Sequence, residues 1–576
     1  MFIGSAVLAA FSLWLSRVEF AVMKDYVDAH APDGDVKSFD APFNARMQQR
    51  FASLTWILAA VSAITLVGRR FFFSAAEAGT GQLAVFKSDV RGGLSKLLKR
   101  TSIGHKRLVG GIIIVGAILR ISQMGLPVIY DEAFTYTNYA SQPLHFLFSD
   151  YTFPNNHILH SFLVKLSTGL FGVHLWSLRL PALLAGIAVM PLFYVFTRVM
   201  FNRYIALITL AFVAGSGALI EYSALARGYS LTWLFMVCAM LVGRHFAKTN
   251  NLISALFMAL FNALGMWTVP TMIYPSLMVY IWLMLYIIFN YDTTMRRRLF
   301  KLALSAIAFI LLTLLVYTPV IVVHSVDQLV HHPALSENTW SDFLSNHQDK
   351  AFELWLYFND TAATWISIIG FVGLAYAAYV STKYRMMLVA MIISSVPLVL
   401  VQHVIGPPRV WCYILFILHL SSGIALFYFL KLIQDRVYKG FAKRLRTAIA
   451  SVTVLIGMGW LGITGLKDRI TRYPDAQLAV DWLNGVLKPG DRVLAQFPWE
   501  APFEFDMIAS GLDRQQLNRG PAPGGNIYAL VGPAPIDGNG AQSVTSVFGR
   551  NELDTTPAAT MVKVKDWRML EIFAAR

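Results

Sequence analysis

Two adjacent carboxylates, Asp131 and Glu132, follow directly on an apolar stretch that begins near Leu108. A charged pair at a membrane boundary is costly to hold in place, so it indicates a functional site. Neighbouring carboxylates near lipid repel each other and lose solvation, so we expect at least one pKa to rise. Such a group suits a general base, and we predict that Asp131 and Glu132 are catalytic. The structural alternative is that the pair caps a short helix.

A second polar group follows on the same loop, and its side chains suit hydrogen bonding to a sugar or a phosphate. It consists of Asn155, Asn156, His157 and His160. The two histidines have a spacing that can bind a metal on a helix face, but no carboxylate accompanies them closely. We therefore predict no metal site and no cofactor, and we expect the group to bind substrate. Packing at the membrane interface is the alternative.

Two arginines lie in turns where a phosphate could be bound. Arg227 is flanked by Tyr222 and Tyr229, and Arg409 follows two prolines that stiffen its turn. The guanidinium fork matches a phosphate with two parallel hydrogen bonds. We predict that Arg227, Arg409 and the two tyrosines bind phosphate. A hairpin-closing ion pair between Glu221 and Arg227 is about as plausible, and Arg409 could contact lipid headgroups.

Composition places these residues in a polytopic membrane protein. The chain has 576 residues, 56% hydrophobic and 14% charged, with a mean hydropathy of +0.55. Soluble domains are about 45–50% apolar and about 25% charged. The two cysteines, Cys238 and Cys412, lie in apolar stretches, which excludes a disulfide framework and a cysteine-based zinc site.

Apolar runs of spanning length occur about thirteen times, which predicts about thirteen transmembrane helices. The runs are 2–22, 52–70, 108–127, 177–197, 204–221, 229–247, 252–269, 271–290, 302–323, 362–381, 386–405, 411–430 and 447–466. The first lacks a basic start and a clear cleavage site, so we interpret it as a retained span.

Lys and Arg concentrate in every second connection, for example in Arg296–Arg298, and the other connections hold few. The positive-inside rule makes the basic connections cytoplasmic. Asp131 and everything after Lys467 are then extracytoplasmic, in a multi-pass protein of the plasma (inner) membrane with its active site facing the periplasm. The formal charge of +15 is therefore a topological signal, and nucleic acid is not an expected partner. Lys165 and Arg179 lie on the side of the membrane where basic residues are few, and we interpret them as interface anchors.

Three regions follow from these patterns. Residues 1–107 hold an N-terminal pair of spans and a basic linker, and residues 108–466 form the catalytic bundle. Residues 467–576 have the composition of a small extracytoplasmic α/β domain. It contains a capped helix from Pro474 and strands near Arg492, Asn526, Val562 and Met569. On the basic-poor side, the run Ser161–Phe171 predicts an amphipathic helix that ends at Gly172.

The order of these motifs resembles the integral-membrane GT-C glycosyltransferases, the superfamily of protein O-mannosyltransferases and of the aminoarabinose transferase of lipid A. The residues that carry the likeness are Tyr130-Asp-Glu-Ala, Pro154-Asn-Asn-His, Leu178-Arg-Leu-Pro, Tyr222-Ser-Ala-Leu-Ala-Arg and Pro407-Pro-Arg. The likeness covers roughly residues 108–466 and implies a GT-C transmembrane bundle.

The resemblance also implies an activity. A polyprenyl-phosphate-linked sugar would be the donor, and an envelope glycan, lipopolysaccharide or protein would supply the acceptor hydroxyl. Asp131 would be the base, transfer would invert the anomeric carbon, and Arg227 and Arg409 would stabilise the leaving phosphate with help from His157. One departure concerns the substrate: where the aminoarabinose transferases have Glu-Lys-Pro-Pro, this chain has Asn155-Asn156-His157-Ile158. That change leaves the sugar and a metal site open.

A transporter or flippase of an anionic lipid would also use arginines near the membrane surface, and it is the competing class of function. Transporters place polar groups near the bilayer midplane, in broken helices. Here the polar residues concentrate at one surface, which favours the enzyme. A purely structural assembly partner would not require the Asp-Glu pair.

Overall fold

A computed structural model describes residues 2–30, 36, 39–290, 292–326, 329, 339–362, 364–436, 443–466, 470–518, 525–536, 539–551 and 556–575. Helices α1 to α5 are Phe2–Leu15, Phe20–His30, Ala41–Val67, Arg69–Lys99 and Ile103–Ile121. Helices α6 to α9 are Tyr130–Thr135, Leu144–Ser149, Ile158–Phe171 and Leu175–Met200, with a π-helical turn at Tyr136–Ala140.

Twelve further helices lie in the described part of the chain between residues 203 and 466. Helices α10 to α15 are Arg203–Gly215, Gly217–Glu221, Tyr229–Thr249, Leu252–Thr268, Ile273–Phe289 and Met295–Val323. Helices α16 to α21 are Trp340–Ala362, Thr364–Val380, Thr382–Gln402, Pro408–Trp411, Ile414–Arg436 and Lys443–Leu466.

The fold is that of a polytopic helical membrane protein, as predicted. Within the described ranges, 8 helices are long and apolar enough to cross a bilayer, or up to 10 if two bent helix pairs each count as one span. The predicted run 2–22 is not one straight helix, because α1 and α2 meet at 99°. The run 204–221 is also divided, between α10 and α11. The count of thirteen spans stays a prediction.

Close helix packing fixes the segment that leads into the Arg227 turn. A Cβ added at Gly462 of α21 would lie 2.7 Å from the Cα atom of Gly217 in α11. The two backbones are therefore in direct contact, which only small residues allow. The buried guanidinium of Arg120 lies at the same break and donates to the carbonyl groups of Val213 and Ala214. The end of α10 is thus held in place, although the helix does not continue into α11.

The predicted amphipathic helix before Gly172 is confirmed as α8. It spans Ile158–Phe171, and Gly172 follows with φ of +80°, a left-handed conformation that favours glycine. One face of α8 is buried and includes Ile158, His160 and Val164, and Leu170 on the other face is exposed. The helix begins directly after the Asn155–His157 segment, which it therefore positions.

Residues 474–575 form an α/β unit whose strands lie in the predicted runs. Helices α22 to α24 are Pro474–Asn484, Glu500–Ala509 and Val544–Arg550, and strands β1 to β4 are Arg492–Leu494, Ile527–Val531, Met561–Asp566 and Glu571–Ala575. The sheet order is β1-β2-β4-β3, with β1 and β2 parallel and the other pairs antiparallel. Val480, Trp499 and Phe503 belong to its own apolar core.

Helix α23 of this unit packs directly on α6, the helix that carries Asp131. The hydroxyl group of Tyr130 donates to Glu500 over 2.7 Å, and the rings of Tyr136 and Phe505 lie edge to face at 5.5 Å. A backbone hydrogen bond of 3.1 Å joins the Tyr473 N–H to the Val128 carbonyl. The short helix α6 is therefore enclosed between the bundle and the α/β unit.

Candidate active site

Glu132 forms a buried, two-point ion pair with Arg179 of α9. The Arg179 Nε atom lies 2.8 Å from Oε1 and the Nη2 atom 2.6 Å from Oε2, and neither side chain has exposed surface. The same carboxylate accepts the backbone N–H of Ala226 at 2.6 Å and that of Ile129 at 3.3 Å. Burial alone would raise the pKa of Glu132, but Arg179 and the Ala226 N–H outweigh it and lower the pKa.

Arg179 also organises the segment between α5 and α6. It donates to the carbonyl groups of Met124 at 2.9 Å and Leu126 at 2.7 Å. Arg472, at the start of the α/β unit, donates to the Pro127 carbonyl at 2.8 Å. These bonds satisfy backbone groups that no regular element pairs. The position of α6 therefore depends on Arg179.

Two predictions about these residues are wrong. Arg179 is a buried ion-pair partner and not an interface anchor, and the rise in pKa is absent from the pair. Glu132 is buried and accepts the Ile129 N–H, as in the helix-capping alternative. Its catalytic role stays a prediction. The second presumed anchor, Lys165, donates to the carbonyl groups of Ala140 and Gln142.

Asp131 points away from its neighbour and keeps 28% of its side-chain surface exposed. Its Oδ1 atom accepts a hydrogen bond of 3.4 Å from Asn155, and its Oδ2 atom lies 3.8 Å from Arg227. Burial works to raise the pKa of Asp131, but Arg227, Arg409 and Asn155 together outweigh it and lower the pKa. The carboxylate is therefore ionised at neutral pH and open to an incoming group.

Arg227 is held in place by several groups of the polar loop. It donates to the Thr135 hydroxyl at 2.9 Å and to the Asn155 side-chain oxygen at 3.2 Å. Its Nε atom is buried and has no hydrogen-bond partner among the described residues. Glu221 instead accepts from the Tyr357 hydroxyl at 3.1 Å. The alternative of a Glu221–Arg227 ion pair is therefore wrong, since the carboxylate beside Arg227 is Asp131.

His157 is a buried support for Arg227. Its Nδ1 atom accepts the Gly228 N–H at 2.8 Å, and its Nε2 atom lies 3.3 Å from an Arg227 nitrogen. Burial and the adjacent Arg227 charge lower the pKa of His157 well below its ordinary value, so the ring is neutral. Because His157 is only 2% exposed, it positions the arginine and does not contact a ligand directly.

The structure separates two further residues of the polar loop from the site. The Asn156 side chain donates to the carbonyl groups of Leu147 at 2.9 Å and Asp150 at 2.8 Å, so it shapes the loop. His160 has no exposed surface and belongs to the buried face of α8. Neither side chain reaches Asp131 in this arrangement, and substrate binding by Asn156 and His160 stays a prediction. Asn155 is the member of the group that contacts Asp131 directly.

Arg409 and the two tyrosines complete the site from the opposite side. The rings of Tyr222 and Tyr229 lie 5.2 Å apart and edge to face, and Tyr229 has the same relation to His157 at 5.2 Å. The nearby Tyr229, which accepts a hydrogen bond from Arg409, and the charge of Asp131 raise the pKa of Arg409. Turns far apart in the sequence thus converge on one carboxylate.

A cavity of about 350 Å³ lies in front of these groups. Asp131, Tyr222, Arg227 and Arg409 line it together with Ile129, Tyr130, Leu225, Ile470, Thr471 and Phe497. Phe497 is 42% exposed, and its ring meets that of Tyr130 at 4.8 Å. The volume suits a small polar ligand such as a sugar phosphate. One carboxylate and two guanidinium groups line the cavity.

Sequence reasoning missed the wall of the cavity that comes from residues 470–497. Ile470, Thr471 and Phe497 carry no charge and match no motif, so nothing in their local sequence marks them. Tyr130 could have been found from the sequence, because it directly precedes Asp131. Among the described residues, no three His, Cys, Asp or Glu side chains gather in a way that could hold a metal ion.

Part of the chain is similar in sequence to a known family. Residues 155–317 match the family model described as dolichyl-phosphate-mannose-protein mannosyltransferase. That range contains Asn155, Tyr222 and Arg227 and excludes Asp131 and Arg409. No curated protein matches the chain in sequence.

Similarity in three dimensions extends further along the chain. ArnT from Cupriavidus metallidurans bound to undecaprenyl phosphate has a TM-score of 0.53 at 14% identity, over 82% of this chain and 98% of that one. The apo form of the same protein has a TM-score of 0.52 at 14% identity, over 81% and 97%. A weaker likeness, with a TM-score of 0.45 at 11% identity, is to the archaeal oligosaccharyltransferase AglB from Archaeoglobus fulgidus, over 72% and 65%.

We expect Glu132→Gln to destabilise the protein strongly, because it leaves the Arg179 charge buried without a counter-charge. Breaking a buried pair in this way costs about 3–5 kcal/mol. Thermal unfolding of the purified protein in detergent, followed by tryptophan fluorescence, measures the effect as a fall of several degrees.

The matched control is Glu353→Gln, which removes the carboxylate of the exposed Lys350–Glu353 pair. An exposed pair contributes about 0–1 kcal/mol, so this variant should unfold close to the wild-type temperature. Equal unfolding temperatures for Glu132→Gln and the wild type would show that the ion pair does not hold α6 in place.

Proposed function

We propose that the chain is a membrane glycosyltransferase of the GT-C type, which moves a sugar from a polyprenyl-phosphate carrier to an acceptor hydroxyl. The mannosyltransferase family model over residues 155–317 and the ArnT-like fold support this proposal. We propose further that the transfer inverts the anomeric carbon and occurs on the extracytoplasmic side of the plasma membrane. The observation that carries the proposal is the exposure of Asp131 to a cavity that Arg227 and Arg409 also line.

The donor is inferred from the charges of the cavity. Two guanidinium groups face one carboxylate, which leaves one positive charge for an anionic ligand. A sugar linked to a polyprenyl phosphate is a phosphodiester with one negative charge, and arginine binds phosphate through paired hydrogen bonds. Undecaprenyl phosphate bound to ArnT, a protein of the same fold, supports a lipid of this class.

The chemistry follows from the placement of Asp131. Its carboxylate accepts the proton of the acceptor hydroxyl, and the resulting oxygen nucleophile attacks the anomeric carbon. The bond from that carbon to the phosphate oxygen breaks, and the lipid monophosphate leaves with the electron pair. Arg227 and Arg409 stabilise the charge that develops on the phosphate, because they are fixed in place before the reaction. In this proposal the two arginines, and not a metal ion, serve the leaving group.

Donor binding also activates the base. In the free protein, Arg227 and Arg409 help to lower the pKa of Asp131, which makes its carboxylate a weak base. A phosphate bound to the same arginines offsets their positive charge and places a negative charge near Asp131. Both effects raise the pKa of Asp131. The carboxylate therefore becomes a stronger base when the donor is in place.

The acceptor class is an envelope glycan, a lipopolysaccharide or a protein. All three offer a hydroxyl group, and the residues of the α/β side form the wall of the cavity next to Asp131. Tyr130 and Phe497 form an aromatic surface there. Such a surface can pack against the apolar face of a sugar ring, so the test below includes glycan acceptors as well as peptides.

Asp131→Asn should lower the rate of sugar transfer by at least about 100-fold, because positioned general bases contribute about 10²–10⁴-fold. The assay uses wild-type protein in liposomes with a panel of short polyprenyl-phosphate sugars and the acceptor classes above. It measures release of free polyprenyl phosphate together with labelled product.

The control is Asp349→Asn, which removes a carboxylate on the exposed surface of α16 and should leave the rate unchanged. Sugar transfer by Asp131→Asn at the wild-type rate would show that Asp131 is not the base. A wild-type protein that moves lipid between leaflets without transferring sugar from any donor would overturn the proposed function.

Arg409→Gln should raise the KM for the donor by about 10-fold or more, because a hydrogen bond to a charged group contributes about 1.5–3 kcal/mol. Binding of undecaprenyl phosphate alone should weaken by a similar factor, and a chelator should leave the wild-type rate unchanged. Arg385→Gln, at an exposed arginine in α18, is the matched control. Unchanged donor affinity in Arg409→Gln, or a chelator effect that added metal reverses, would contradict the arginine-based site.

The pH dependence tests the activation of Asp131 by the donor. Activity needs the ionised carboxylate, so it falls as the pH drops through the pKa of Asp131. We expect the acid limb of kcat to lie at higher pH than that of kcat/KM for the donor, by about one pH unit or more. In Arg409→Gln the acid limbs of kcat and kcat/KM should lie closer to each other than in the wild type. Coincident limbs in the wild type would show that the arginines do not couple donor binding to the base.

A further inference from the structure

Helix α4 has the geometry of a helix that lies along a membrane surface. It is 31 residues long, contains no buried residue, and meets α5 at an angle of 108°. Helix α5 packs lengthwise in the bundle, where its Arg120 side chain bonds to the end of α10. A helix nearly perpendicular to a bundle helix runs parallel to the bilayer plane. We propose that α4 is an interfacial helix that binds anionic phospholipid headgroups.

Three contacts hold α4 against the basic end of the bundle. The Gln82 side chain accepts the N–H of Leu252, at the start of α13, over 2.8 Å. Asp89 lies 3.2 Å from His245 of α12, and the Leu97 carbonyl accepts from Arg198 over 3.3 Å. The helix is therefore fixed along its length at the level where the spans end.

An apolar row on α4 is about half exposed to the surroundings of the protein. Val90, Leu94 and Leu98 follow one another at four-residue spacing, so they lie on one side of the helix. They are 48%, 51% and 47% exposed. Phe73, near the start of the helix, is 75% exposed. An apolar row at the level of the membrane surface suits insertion between lipid headgroups.

The charges of α4 favour an anionic lipid over other occupants. Six basic residues stand against two acidic ones, Glu77 and Asp89. Lys87 and Arg91 directly flank the apolar row and are exposed. Basic side chains beside an inserted apolar row attract anionic headgroups, and the attraction falls off within a Debye length. A membrane surface therefore matches both features of the helix.

Spin labels on the full chain in nanodiscs test this placement. Cysteines at Val90 and Leu94, in a background with Cys238→Ala and Cys412→Ala, report on the apolar row, and cysteines at Ser88 and Ser95 report on the polar side. The ratio of collisions with oxygen to collisions with an aqueous nickel complex should be at least about threefold higher in the apolar row.

Two outcomes would overturn the proposal. Equal access of the nickel complex to both sets of labels would place α4 away from the lipid. Protection of the Leu94 label from both reagents would show that protein covers the row. The unfolding temperature of the cysteine-free background verifies that its fold is retained.

The charge requirement is tested separately with nanodiscs of phosphatidylcholine alone or mixed with phosphatidylglycerol. The double substitution Lys87→Glu and Arg91→Glu should lower the collision ratio at position 94 by about twofold or more in the mixed discs, with little change in the neutral ones. Arg296→Glu with Arg297→Glu, at exposed positions outside α4, is the control and should have no effect. A variant whose ratio is unchanged in the mixed discs, or falls by the same factor in both lipids, would exclude a role for anionic headgroups.

Discussion

The buried ion pair between Glu132 and Arg179 is the constraint on which the site depends. Two charges without water contact are costly, and the cost is offset here by two short hydrogen bonds, two backbone N–H donors and the carbonyl groups that Arg179 gathers. This pair fixes α6 between the bundle and the α/β unit. Asp131, one residue earlier, thereby gains a defined position while keeping part of its surface open.

Division of labour between adjacent carboxylates explains the rest of the polar network. Glu132 uses its charge for structure, and Asp131 keeps its charge for an incoming ligand. The buried residues around Arg227, namely Thr135, Asn155 and His157, hold the guanidinium beside Asp131. Pre-positioned charge of this kind requires little reorganisation when a ligand arrives. The same arrangement makes the basicity of Asp131 respond to whatever occupies the arginines.

Sequence reasoning found the helical bundle and the strands of the α/β unit. It also named Asp131, Asn155, Arg227 and Arg409, which lie close together in the structure and whose roles stay predictions. Patterns of hydropathy and charge reveal these features because each pattern depends on residues close together in the sequence. It gave Asp131 and Glu132 one role, although successive helical residues point in different directions. It also misplaced Arg179, since a lone arginine near a span end does not reveal a partner in another helix. Phe497 reaches the cavity only through tertiary docking, which no local pattern predicts.

The cavity has two walls of separate origin. One wall, from the bundle, holds the carboxylate and both guanidinium groups, and the other, at Thr471 and Phe497, holds no charge. Substitutions in the second wall can therefore reshape the space offered to a ligand without disturbing the electrostatics of Asp131. Selectivity and reactivity are in this sense separable properties of the molecule, and an engineered exchange of Thr471 and Phe497 alters the first while sparing the second.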